Sequence, residues 1–75
     1  MEVIVYSTPN CVQCKQTYRE FDKKGIAYKV VDLSEDEAAM SRVRGLGFSQ
    51  APVVEAGEDN MWAGFRPDLI KKLAA

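Results

Sequence analysis

The chain has 75 residues, 47% hydrophobic and 28% charged, with 10 basic and 11 acidic side chains and a net charge of −1. That predicts one small domain over residues 1–75 with an ordinary core, and it excludes disorder and a membrane span of ~18 apolar residues. The near-neutral balance leaves no basic footprint for nucleic acid and no polybasic patch for a membrane surface.

The opening residues Glu2, Val3, Ile4, Val5 and Tyr6 are mostly β-branched or aromatic and predict a strand. They carry no basic n-region or small-residue cleavage site, so the expected compartment is the cytoplasm. Ser7-Thr8-Pro9-Asn10 is a turn cluster, with Asn10 the expected N-cap of a helix over about 11–24. Cys14, Thr17, Tyr18 and Phe21 fall at i, i+3, i+4 and i+7, the inner stripe of that helix. Lys15, Arg19 and Lys23 follow a neighbouring face, and Gly25 suits the position just past the helix end.

Ile26 to Leu33 returns to strand composition. Ser34 with Glu37 three residues on reads as a capping box opening a second helix to about Leu46, broken by Gly45 and Gly47. Residues 52–56 and 61–63 read as the strands of a hairpin around a turn at Gly57-Glu58-Asp59-Asn60. Pro67 fits the first position of a last helix with Leu69, Ile70 and Leu73 inward. The order β-α-β-α-β-β-α predicts an α/β fold with a four-stranded mixed sheet flanked by helices.

Histidine is absent, which removes His-based metal sites and His-assisted nucleophiles. What remains is Cys11-Val12-Gln13-Cys14 at the junction of the first strand and first helix. Beside a β-α-β pattern this spacing reads as dithiol redox chemistry. At a helix start the orphan N–H groups and the positive dipole end favour a thiolate, so no base is required. Cys14 lies on the apolar stripe and Cys11 precedes it. Cys11 is therefore expected to attack a target disulfide and Cys14 to resolve the mixed disulfide. Half of a zinc site, a chance pair of buried thiols and a structural disulfide are the competing readings. Two ligands fall short of a zinc set, and cytosolic thiols stay reduced.

With these cysteines, the segment Gly47-Phe48-Ser49-Gln50-Ala51-Pro52-Val53-Val54 and the segment Trp62-Ala63-Gly64-Phe65-Arg66-Pro67-Asp68 complete a pattern. Over essentially its whole length, the chain resembles the thioredoxin-fold superfamily and, more closely, the glutaredoxin-like NrdH redoxins. The resemblance implies a thioredoxin/glutaredoxin fold with a cis Ala51-Pro52 bond facing the dithiol. It implies Cys11 as nucleophile, with Val12, Gln13, Ala51, Pro52, Val53, Trp62, Gly64 and Phe65 forming the partner surface and Arg66 in a supporting hydrogen-bond network.

The implied role is that of an electron carrier. Thioredoxin reductase would reduce it with electrons from NADPH, and it would reduce the large subunit of class Ib ribonucleotide reductase. It would act as a monomer without a cofactor, a bound metal, nucleic acid or a membrane. Two positions depart from the pattern: Ala63 stands where relatives have serine, and Thr8 where many have a basic residue. A glutathione-dependent glutaredoxin on the same fold, a dimeric iron–sulfur carrier bridged through Cys11, and a binding module with an incidental dithiol are the rival readings.

Overall fold

In the computed structural model, which describes residues 2–57 and 60–74, the elements run β1 (Ile4–Ser7), α1 (Val12–Lys23), β2 (Lys29–Asp32), α2 (Glu37–Gly45), β3 (Val53–Glu55), β4 (Met61–Ala63) and α3 (Pro67–Ala74). The sheet order is β2-β1-β3-β4. β1 pairs in parallel with β2 and antiparallel with β3, and β3 pairs antiparallel with β4. This is the expected mixed sheet. Two residues of the expected turn at 57–60, Glu58 and Asp59, lie outside the described residues. Among the described residues no helix is long and apolar enough to cross a membrane.

Side chains alternate across a strand, so the sheet divides the core in two. Val3, Val5, Val54, Ala56 and Trp62 face α1 and α3, where they meet Phe21 and Ile70. Tyr6 and Val53 face the other way, against Val43 of α2 and Leu33. The α1 stripe lies as its spacing predicts, with Cys14, Thr17 and Phe21 buried. Tyr18 stacks on Tyr28 at 5.5 Å, and Phe21 tilts against the same ring at 5.4 Å.

Two helix ends share one device. Past the C-cap of α1, Gly25 takes φ 69°, its N–H donates to the Asp22 carbonyl, and the Ile26 N–H donates to the Phe21 carbonyl. Past α2, Gly47 takes φ 91°, its N–H donates to the Arg44 carbonyl, and the Phe48 N–H donates to the Val43 carbonyl. Both are Schellman closures, and in each the apolar residue after the glycine packs with the core it caps. Ile26 is thereby used by the end of α1, so β2 begins at Lys29 rather than at Ile26. Gly45 stays within α2, and the break falls at Gly47 alone.

Both expected N-caps move. Asn10 adopts a left-handed φ of 59°, which Asn tolerates, and the cap of α1 falls on Cys11. For α2 the cap is Asp36, whose Oδ1 accepts the Ala39 N–H at 2.9 Å. Ser34 is drawn back instead to the end of β2, donating its N–H at 2.8 Å and its hydroxyl at 2.6 Å to Asp32 Oδ1. Asp32 therefore acts as the strand-end cap, a role its position at the edge of a turn favours.

α2 is tied to the sheet by a polar triangle. Arg42 donates from Nη1 and Nη2 to the two carboxylate oxygens of Glu55 at 2.7 and 2.9 Å, and also to the Tyr6 hydroxyl at 2.9 Å. The Tyr6 hydroxyl in turn donates to Glu55 Oε1 at 2.9 Å. The Arg42 hydrogen bonds hold the Glu55 carboxyl below its ordinary range. Burial first, and then the bond to Glu55, push the Tyr6 hydroxyl above its ordinary range.

The signs follow by linkage. The stabilisation from Glu55 is full above its unfolded value near 4.5 and fades as pH falls through the lower folded value. The Tyr6 contribution is full below its unfolded value of 10.0 and fades as pH rises through the higher folded value. Glu55→Gln is expected to cost about 1 kcal/mol or less at neutral pH, because solvent screens an Arg42 side chain that is 46% exposed. Urea melts from neutral to acid pH should show the wild-type advantage shrinking below about pH 4.5. An advantage that stayed constant with pH would refute the ion pair as its source.

Candidate functional site

β1 ends at Ser7, and the chain turns through Thr8-Pro9-Asn10 to place Cys11 at the head of α1. Cys11 has the extended backbone of an N-cap, φ −98° and ψ 106°. Its sulfur does what a cap oxygen usually does: the Cys14 N–H donates to Cys11 Sγ at 3.0 Å. The same sulfur is bonded to Cys14 Sγ, with the two Cα atoms 5.2 Å apart. The residue expected to attack thus lies at the positive end of α1, facing one of its unsatisfied donors.

The two cysteines differ in access as their spacing suggests. Cys14 is 2% exposed, whereas Cys11 is half-buried. A turn beyond Cys14, the buried Thr17 hydroxyl donates to the Gln13 carbonyl at 2.9 Å. That bond ties the first turn of α1 to its buried face.

Three separate stretches of sequence converge on this turn. β3 runs antiparallel to β1 with Tyr6 opposite Val53, so one step further Pro52 falls level with Ser7. The Ala51-Pro52 bond is cis, as the resemblance implied. The Gly64 N–H then donates to the Pro52 carbonyl at 2.8 Å. Next to it, the Phe65 N–H donates to the Gln13 side-chain Oε1 at 3.3 Å. The Gly64-Phe65 turn therefore bridges the loop before β3 and the residue between the cysteines. Gly64 has φ 85°, a backbone that favours glycine, and a Cβ there would stand 3.5 Å from Gln13 Oε1.

The expected partner residues separate by exposure. Val12 is 69% exposed and Gln13 is also at the surface. Ala51, Gly64 and Phe65 are half-buried around them. Three others need correction as contact side chains. Pro52 and Val53 are fully buried, and Trp62 is 4% exposed. Val53 points to α2, and Trp62 lies in the core under α1 and α3, because the register of β3 and β4 turns them inward. They hold the site from beneath.

Arg66 donates to Asp68 from Nε at 3.2 Å and Nη2 at 3.0 Å, a local pair at the start of α3 rather than a hub. Its guanidinium keeps the Asp68 carboxyl below its ordinary range. The Arg66 backbone carbonyl accepts the Leu69 and Ile70 N–H groups. Sequence reasoning missed the inward reach of Gln13. A signal was present, since Gln is long enough to cross to a neighbouring backbone and carries an acceptor.

Among the described residues no three His, Cys, Asp or Glu side chains gather to hold a metal ion. The chemistry of the site is that of two neighbouring sulfurs, which interconvert between dithiol and disulfide by exchange with another disulfide.

Comparison with known proteins agrees with this geometry. The Glutaredoxin family model matches residues 3–60. The chain is 41% identical over 73 residues to the glutaredoxin-like protein NrdH of Salmonella typhimurium, covering 97% of this chain and 89% of that one. It is 36% identical over 72 residues to the NrdH protein of Lactococcus lactis subsp. cremoris, covering 96% and 99%. The solved structure of the NrdH-redoxin of Escherichia coli, described as having a thioredoxin-like activity profile, superposes with a TM-score of 0.93 at 38% identity, covering 97% of this chain and 95% of that one.

Proposed function

We propose that this chain, which belongs to the glutaredoxin family and is a thiol–disulfide oxidoreductase of the glutaredoxin-like NrdH type, is an electron carrier between two proteins. Thioredoxin reductase reduces it at the expense of NADPH, and it reduces the large subunit of class Ib ribonucleotide reductase. The carrier holds its electrons in the two thiols and needs no cofactor of its own.

In the reduced form the Cys11 thiolate attacks one sulfur of the target disulfide. A Cys11–target disulfide forms and the other target sulfur leaves as thiolate. The Cys14 sulfur, as thiolate, then attacks Cys11 Sγ and expels the second target sulfur. The target gains two electrons and, with protons from solvent, becomes a dithiol. The carrier is left with the Cys11–Cys14 bond. The observation that carries this reading is the Cys11 sulfur serving as N-cap of α1, half-exposed, with Cys14 buried behind it. The thioredoxin-like activity profile of the Escherichia coli relative supports a protein reductant over glutathione.

The test is disulfide reduction under two electron supplies. Turnover is expected with NADPH and thioredoxin reductase, and it should extend to the oxidised ribonucleotide reductase. Turnover only with NADPH, glutathione and glutathione reductase would overturn the choice of reductant and leave a glutathione-dependent glutaredoxin.

A further inference from the structure

Building on the thiol-exchange reading, we propose that the ridge Lys15–Arg19–Lys23 of α1 is a docking surface for an extended acidic segment flanking the target cysteine of a protein substrate. The Lys15 N–H donates to the Cys11 carbonyl at 3.3 Å, so Lys15 sits one helical turn above the attacking cysteine. Arg19 and Lys23 follow at the same four-residue step, and all three are exposed. At 1.5 Å per residue, the ridge from Cys11 to Lys23 is about 18 Å long.

Among the described residues these three cations make no ion pair. Among the described residues, the ion pairs engage Lys24, Lys29, Arg42 and Arg66. Of the acids of α1 itself, Glu20 is held by Lys24 at 3.0 Å, and Asp22 makes no ion pair with Lys15, Arg19 or Lys23. Lys23 acts on Glu20 only at longer range. The exposed run Glu35, Asp36 and Glu37 leads into α2, which packs on the opposite face of the sheet from α1. A chain of net charge −1 thus presents, among its described residues, a line of unpaired cations that begins beside its reactive sulfur.

The spacing selects the occupant. Four helical residues advance about 6 Å, and two residues of extended chain about 6.6 Å. Alternate side chains of an extended peptide therefore keep step with Lys15, Arg19 and Lys23. Carboxylates at alternate positions, within about six residues of the target cysteine, would meet them in turn while the cysteine lies over Cys11. Exposed pairs of this kind act mainly on encounter rate and register, and salt screens them.

The experiment uses two synthetic peptides, each closed by one disulfide. One carries glutamate at three alternate flanking positions and the other glutamine. The dithiol form of the full chain is mixed with each peptide in stopped flow. The glutamate peptide is expected to react about 10-fold faster at low ionic strength. That advantage should vanish near 1 M salt, where the Debye length is about 3 Å. The combined variant Lys15→Gln, Arg19→Gln, Lys23→Gln should erase it while leaving the glutamine-peptide rate unchanged. Circular dichroism would show that the variant is folded. Equal rates for the two peptides on the wild type, or an advantage that survives in the variant, would overturn the docking proposal and leave thiol exchange standing. Failure of the wild type to reduce either peptide would overturn thiol exchange and the docking proposal together.

Discussion

Cys11→Ser loses disulfide reduction by more than about 10³-fold, the scale expected when a reaction loses its nucleophile. Serine is among the best N-cap residues, so the variant keeps the bond that Cys14 N–H makes to position 11 and keeps its fold. The loss is therefore chemical. A hydroxyl at the start of α1 does not ionise at neutral pH, whereas the unpaired N–H groups and positive dipole of a helix N-terminus favour thiolate over thiol. Cys14→Ser has a different outcome, because its partner sulfur remains half-exposed at the helix start. Attack proceeds, no resolving sulfur follows, and a one-to-one mixed disulfide with the target accumulates. Intact mass spectrometry after mixing with an oxidised target distinguishes the two variants. An adduct on Cys11→Ser and none on Cys14→Ser would reverse the roles.

Phe21→Ala costs about 3–5 kcal/mol, the usual range for emptying a buried aromatic site. A chain of this length has a total stability of roughly 4–11 kcal/mol at 0.05–0.15 kcal/mol per residue. The loss is thus between about a quarter and the whole of the stability of the chain. Phe21 has no exposed surface and packs among Val5, Val54 and Ile70. It also abuts Tyr28, and its carbonyl accepts the Ile26 N–H that closes α1. Few positions join the core, an aromatic contact and a helix end in one residue. Val30→Ala, at a β2 position 48% exposed, is the matched control and should stay within about 0.5 kcal/mol of wild type. Urea midpoints for the pair test the claim, and a Phe21→Ala loss below about 1 kcal/mol would contradict it.

Much of this fold is legible in local chemistry. Gly25 and Gly47 close helices because glycine, lacking a Cβ, takes up the left-handed backbone at that point without strain. The 3.6-residue period of α1 places Cys14 inside and Cys11 at the tip without reference to any other element. What the sequence hides depends on competition or on distance. Asn10 and Ser34 are good caps, but each is drawn into a tighter turn, and Cys11 and Asp36 take over. The Arg42–Glu55–Tyr6 triangle joins residues up to 49 positions apart, so it exists only once the register of β1 on β3 is set. Burial of Val53 and Trp62 has the same origin. A three-residue strand carries too short an alternation to reveal which side faces a helix. Within the site, the cysteines were legible in their spacing, the cis proline only through the family resemblance, and the hydrogen bond from Phe65 to Gln13 not at all.

The two residues between the cysteines are coded for different readers. Val12 faces outward with most of its surface exposed, so its identity is free to follow whichever protein surface it meets. Gln13 answers to the chain itself, because its carboxamide oxygen is the acceptor for a backbone donor 52 residues away. In a library that randomised both positions, selection for folding and selection for partner choice would separate along the motif. Position 12 would diversify with the partner, and position 13 would stay with side chains long enough to offer an oxygen. A motif usually quoted by its cysteines and their gap thus contains one variable letter and one constrained letter.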